Sequence, residues 1–281
     1  MWKTFDNGGQ EGAYWTEGQG DAVLLLHGFA EDHSVWEHQT AYLRAHYRVI
    51  VPDLPGTGRS GLTSPLSMES MAAFAWKALQ AEGIASAVVI GHSMGGYVAL
   101  AFAEAYPDAV EGLGLFSSTA RPDTEEKREG RRKSIRIMQQ YGVESFVTQL
   151  LPNMFAAEFR GTQVARIDNY MQQAIKIPMA SMIAYYEAMI ARPDRTAVLS
   201  NITQPVFFFV GKEDQAVPLD NSMSQVVLPS VASIHIFDRV GHMGMLEVFE
   251  ESSLLLHQFI TLCTRWWITP LTKRLPDIAT R

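Results

Sequence analysis

Ala87-Val88-Val89-Ile90-Gly91-His92-Ser93-Met94-Gly95-Gly96 is the stretch on which the reading of this 281-residue chain turns. Residues 87–90 form an apolar run without a polar break, as in a strand covered on both faces. Residues 94–106 then carry a helical pattern. Between them, G-x-S-x-G makes a strand-to-helix elbow with a serine at its tip. Side chains two residues before or after that serine would clash in so tight a turn, which is why glycines stand there. The turn aims Ser93 at a helix N-terminus, where the N–H of Met94 is unpaired and can face a developing oxyanion.

Working outward, similar runs occur at Ala22–Leu26, Tyr47–Val51, Leu113–Phe116, Val206–Val210 and Ser233–Phe237. Helical patterns fall at roughly 35–45, 67–82, 94–106, 219–228 and 246–262. Alternating strands and helices predict right-handed crossovers and a doubly wound, mostly parallel α/β sheet. The alternation breaks between 120 and 200, where no strand-like run occurs. That stretch reads as a helical cap over the strand ends. Asp123 and Glu126 have capping-box spacing at its start. Arg131, Arg132, Lys133 and Arg136 read as a solvated helix face. Met138, Met154, Met171, Met179, Met182 and Met189 are adaptable apolar fillers that hold the segment together or line an acyl pocket.

Four loops at strand ends carry chemistry-bearing residues. Leu26-His27-Gly28-Phe29 leaves an early strand, and the N–H of Phe29 is placed to be a second oxyanion donor. His27 is expected to buttress that loop. Asp53-Leu54-Pro55-Gly56-Thr57-Gly58-Arg59-Ser60 is a turn with no Gly-Lys-Ser or Gly-Lys-Thr, so it is no phosphate loop. Asp53 and Arg59 are expected to pair or to brace it. Gly211-Lys212-Glu213-Asp214 offers two carboxylates after a buried strand, either suited to orient an imidazole. Gly241-His242 follows the last strand. The chain has eight histidines, and this one is singled out by its place.

Composition excludes other classes. The net charge is −7 with 19% charged residues, and no basic block suggests a nucleic-acid groove. The single cysteine, Cys263, can form neither an internal disulfide nor a zinc cluster. No run of 18 apolar residues predicts a membrane span, and no signal core stands at the N-terminus, so a cytoplasmic location is expected. Beyond Cys263 the tail holds Trp266, Trp267, Pro270, Lys273, Arg274 and Pro276. The paired tryptophans are expected to pack the last helix onto the body, or else to mark a membrane-surface or oligomer contact.

Together, His27-Gly28-Phe29, Asp53–Ser60, Gly91–Gly96, Asp214 and Gly241-His242 resemble the α/β-hydrolase superfamily, in its carboxylesterase and enol-lactonase branch. The resemblance spans residues 22–242. It implies the α/β-hydrolase fold, with a helical cap inserted after the sixth strand. The implied division is a core of 1–119 and 201–262, a cap of 120–200 and a C-terminal extension of 263–281. Carried over, Ser93 is the nucleophile, Asp214 rather than Glu213 the acid, His242 the base, and Phe29 and Met94 the oxyanion donors. Dehalogenases and epoxide hydrolases of this fold carry aspartate where Ser93 stands, and haloperoxidase relatives often carry proline where Ala30 stands. The implied reaction is hydrolysis of a small carboxylic ester or lactone through an acyl-enzyme, with no cofactor or metal and a possible homo-oligomer. Carbon–carbon bond hydrolysis, a cofactor-free lyase and a small-molecule sensor remain as alternatives.

Overall fold

The computed structural model describes residues 1–266. Strand β5 (Ala87–His92) is buried along its whole length, as its apolar run requires. It sits mid-sheet, between β3 (Ala22–Leu26) and β6 (Val110–Phe116), and pairs parallel with both. Outside β3 lies β4 (Arg48–Asp53); outside β6 lie β7 (Val206–Gly211) and β8 (Ala232–Phe237), all parallel. Side-chain alternation sends Leu24 and Leu26 to one face and Val23 and Leu25 to the other. Helices α2 (Met68–Ala81) and α3 (Met94–Ala105) cover the first face. Helices α1 (Glu37–Leu43) and α11 (Phe249–Trp266) cover the second. This is the doubly wound architecture expected.

Two strands escape the apolar-run reading. β1 (Trp2–Asp6) and β2 (Glu11–Glu17) form an antiparallel hairpin that extends the sheet beside β4, giving eight strands in the order β1-β2-β4-β3-β5-β6-β7-β8. β1 has no fully buried residue, so it carries no continuous apolar run. The available signal was the turn Asn7-Gly8-Gly9, whose glycines take φ of 71° and 88°.

Between β6 and β7 the described chain is helical: α4 (Glu125–Leu150), α5 (Ala157–Thr162), α6 (Val164–Ala174), α7 (Met179–Ala191) and α8 (Thr196–Asn201). α4 breaks at Gly142, which takes φ 84°, ψ 167°. The cap of α4 departs from expectation. Thr124 is the N-cap and accepts from the N–H of Lys127. Asp123 is freed for ion pairs, described below. Two short helices, α9 (Leu219–Met223) and α10 (Gly244–Glu247), follow β7 and β8. α11 runs past 262, and Cys263 on it is buried against Gly112. Of the tail residues singled out above, Trp267, Pro270, Lys273, Arg274 and Pro276 lie outside the described residues. No described helix is long and apolar enough to cross a membrane.

Candidate active site

The elbow works by exclusion. A Cβ on Gly91 would collide with the carbonyl of Gly95, and one on Gly95 with the carbonyl of Leu26. Ser93 itself takes φ 51°, ψ −114°, a region costly for any residue with a side chain, by about 1–3 kcal/mol. The turn is held by Ser93 N–H donating to Phe116 O at 3.0 Å and Ser118 Oγ donating to Ser93 O at 2.7 Å. Ser93 occupies the N-cap position of α3, where a serine ordinarily bonds the helix with its own oxygen. Here it makes no side-chain cap bond. Ser93 lines a cavity of about 130 Å³ together with Phe29, Glu31 and His242.

His242 reaches that cavity from the loop after β8. Its Nδ1–H donates to Asp214 Oδ2 at 2.8 Å, and both residues are buried. Since a carboxylate only accepts, this bond fixes the tautomer and leaves the Nε2 lone pair free. The other oxygen, Asp214 Oδ1, accepts from the N–H groups of Ala216 and Val217, each at 2.8 Å. Burial pushes the imidazole pKa down, but the charge and hydrogen bond of Asp214, with the Glu31 and Glu247 charges, together outweigh it and leave His242 above its ordinary value. Of the two adjacent carboxylates, Glu213 instead accepts from Ala157 N–H at 2.8 Å. Ser93 and His242 share the cavity wall without a hydrogen bond between them among the described contacts.

The N–H groups of Phe29 and Met94 have no acceptor among the described residues. Ala30 turns the chain with φ 61° directly after Phe29. His27 braces the base of this loop: Nε2 accepts from Leu54 N–H at 3.0 Å and Nδ1 donates to Gly28 O at 2.9 Å. The expected pairing of Asp53 with Arg59 is only half present. Asp53 accepts from the backbone N–H of Arg59 and from His33, while the Arg59 guanidinium lies over the Trp2 ring.

A family model of the alpha/beta hydrolase fold matches residues 21–247. The chain belongs to the α/β-hydrolase family. Among curated relatives of this hydrolase, 2-hydroxy-6-oxo-6-phenylhexa-2,4-dienoate hydrolase of Burkholderia cepacia is 26% identical, over 86% of this chain and 88% of its own. Pimeloyl-[acyl-carrier protein] methyl ester esterase of Vibrio cholerae is 26% identical, over 90% and 98%. Among solved structures, a malate-bound thermophilic esterase from Thermogutta terrifontis superposes with a TM-score of 0.87 at 29% identity, covering 92% of this chain and 97% of that one.

Three features of the candidate site carry no sequence motif. Glu31 is buried and accepts from Gly28 N–H, from His92 Nδ1 and from Tyr170 Oη of α6. Burial raises its pKa, and the charge and hydrogen bond of His92 together with the Gly28 N–H lower it more, so the carboxyl lies below its usual range. The other nitrogen, His92 Nε2, faces the carbonyl of His242 at 3.0 Å and must donate. Glu31 and His92 thus tie the Phe29 loop, the elbow and the His242 loop together. Glu247 accepts from the N–H groups of Gly241, Met243 and Ala156. Arg131, expected on a solvated face, turns inward to Asp123 and lines the Ser93 cavity. Arg132 and Arg136 do behave as read, pairing with exposed Glu125 and Glu129. Of the methionines, Met154 and Met189 line the cavity, while Met138 and Met182 are buried in the apolar core.

Proposed function

We propose that this α/β hydrolase is a serine hydrolase of short carboxylic esters or lactones. The observation that carries the reading is an uncapped Ser93 sharing one small cavity with a histidine whose tautomer is set by a buried aspartate. Nε2 of His242 takes the Ser93 proton as Oγ attacks the acyl carbonyl. The N–H groups of Phe29 and Met94 receive the oxyanion. The tetrahedral adduct collapses by expelling the alcohol, which takes the proton from His242. Water, deprotonated by His242, then releases the acid from the acyl-enzyme and restores Ser93. Asp214 keeps the imidazole oriented and stabilises its cationic form. The helices between 120 and 200 act as a cap that closes the cavity.

A second reading keeps the residues and changes the bond. The Burkholderia cepacia relative is named for a substrate with ketone, enol and carboxylate groups and no ester, so its hydrolysis breaks a carbon–carbon bond. Turnover of vinylogous diketones without turnover of esters selects that reading.

The test is intact-mass labelling with a fluorophosphonate on wild type and Ser93→Ala. One adduct on wild type and none on the variant is expected. A well-folded wild type that takes no label, or a variant that labels equally, overturns the assignment of Ser93.

A further inference from the structure

We infer that Arg131 builds an anion subsite in the Ser93 cavity, so that the acyl group cleaved here carries a carboxylate of its own. The inference deepens the hydrolase reading and rests on it.

The argument begins with charge. Asp123 is buried and meets two guanidinium groups: Arg131 Nε at 2.5 Å and Nη2 at 3.2 Å, and Arg192 Nη2 at 2.9 Å. One carboxylate therefore answers two cations, and one positive charge is left without a partner. Arg192 does not line the Ser93 cavity. It is buried, it donates to the carbonyls of Met189 and Arg121, and it lies over the Tyr97 ring at 3.9 Å. Arg131 is the open one. Its Nε–H and one Nη2–H go to Asp123, while Nη1 has no hydrogen-bond partner among the described residues. Its position is fixed by the Asp123 fork and by the Tyr186 ring, 5.5 Å from the guanidinium carbon.

The unspent N–H groups matter because Arg131 lines the same cavity as Ser93 and His242. Most of that wall is apolar or aromatic: Phe29, Leu150, Leu151, Met154, Met189 and Val217. The carboxylate that does line the cavity, Glu31, is answered by His92. Tyr97, also on the wall, has a hydroxyl without a partner among the described residues. An open guanidinium edge beside a free hydroxyl suits a carboxylate, which accepts in the plane that a guanidinium offers. The cavity is small, about 130 Å³. A short acyl chain, attacked by Ser93 at one end, spans such a space and brings a terminal carboxylate to Arg131. The acyl group stays in the cavity through both chemical steps, so a contact made to it serves acylation and deacylation alike.

The test compares monomethyl succinate and monomethyl glutarate with methyl butanoate and methyl pentanoate, on wild type, Arg131→Met and Arg131→Lys. Asp123 keeps Arg192 in both variants, and circular dichroism checks their folding. The readout is the ratio of kcat/KM for the acidic over the neutral esters. A charge-assisted hydrogen bond corresponds to roughly a ten- to hundredfold preference. That preference is expected in wild type, lost in Arg131→Met and partly kept in Arg131→Lys. No preference in wild type, or an undiminished one in Arg131→Met, overturns the inference. If wild type neither takes a fluorophosphonate nor cleaves any ester, the hydrolase reading fails separately. The anion site is then judged by glutarate, which should raise the melting temperature of wild type and not of Arg131→Met. Equal shifts, or none, overturn it.

Discussion

On the sheet side of the cavity the two carboxylates, Asp214 and Glu31, are held by fixed partners. Asp214 accepts from two backbone amides and from His242, and Glu31 from Gly28, His92 and Tyr170. The helical side, built from α4, the turn at 151–154 and α7, offers Leu150, Leu151, Met154, Met189 and Tyr186, with one open guanidinium. The difference is one of tolerance. A hydrogen-bonded wall keeps its geometry or loses function, because a partner left unmet inside a protein is costly. A wall of leucine and methionine accepts other shapes at small cost. The first wall carries the proposed chemistry, and the second carries its selectivity.

The largest expected effect tests the fixed wall. Asp214→Asn should lower kcat by up to about ten-thousandfold while KM stays near wild type, because the amide no longer holds the productive tautomer. The same variant shifts the pH profile. The neutral imidazole is the base, so activity is lost as His242 protonates. Because the Asp214 charge raises the His242 pKa, the acid limb of wild-type kcat/KM should lie above the ordinary imidazole value of about 6.5. Without that charge the limb moves to lower pH. A limb that stays in place would show that Asp214 does not set the charge of His242.

Next in size, Glu31→Gln strands His92 in a dry site. Denaturant titration at pH 7 should show a loss of about 3 kcal/mol. The depressed carboxyl of Glu31 gives a further check. Its contribution is present above the unfolded carboxyl pKa and is lost as pH falls through the lower folded value. The gap between wild type and Glu31→Gln should therefore narrow in acid. A loss under about 1 kcal/mol at pH 7 would mean that the fixed wall does not depend on this pair.

The smallest effect belongs to the adaptable wall. Met189→Leu should cost less than about 1.5 kcal/mol of stability. It should alter acyl-chain preference by only a few fold, read as relative kcat/KM across an ester series. A loss of activity comparable with that of Asp214→Asn would erase the distinction between the walls.

The same distinction explains what could be read from the amino-acid sequence. Strands β3 to β8 announce themselves as apolar runs, and the elbow at Gly91–Gly96 is written in glycines because the backbone permits nothing else. Position in the chain points to His242, while residue chemistry alone does not separate Asp214 from Glu213, both carboxylates at one strand end, and it is the family resemblance that favours Asp214. Nothing local shows that Arg131 turns inward while Arg132 and Arg136 stay in water. All lie on one helix, and the partner that draws Arg131 in, Asp123, looks from sequence like a cap residue. Glu31 is unreadable for a related reason, since its partners lie at residues 28, 92 and 170. The β1–β2 hairpin is missed because polar residues interrupt both strands, Lys3, Thr4 and Asp6 in β1 and Glu11, Thr16 and Glu17 in β2, and leave no apolar run of four.

One short span bears on any attempt to transplant the helical segment between members of this family. Met154 O accepts from the backbone of His242 at 2.7 Å, Ala156 N–H donates to Glu247, and Ala157 N–H donates to Glu213. Gly241 packs so closely on 154–156 that a methyl group there would collide. Residues 154–157 are thus stitched to the histidine loop, whatever the helices around them do. A chimera that exchanges the whole segment imports a foreign seam beneath His242. One that keeps 154–157 with the recipient and exchanges the flanking helices trades selectivity while leaving the imidazole where it was.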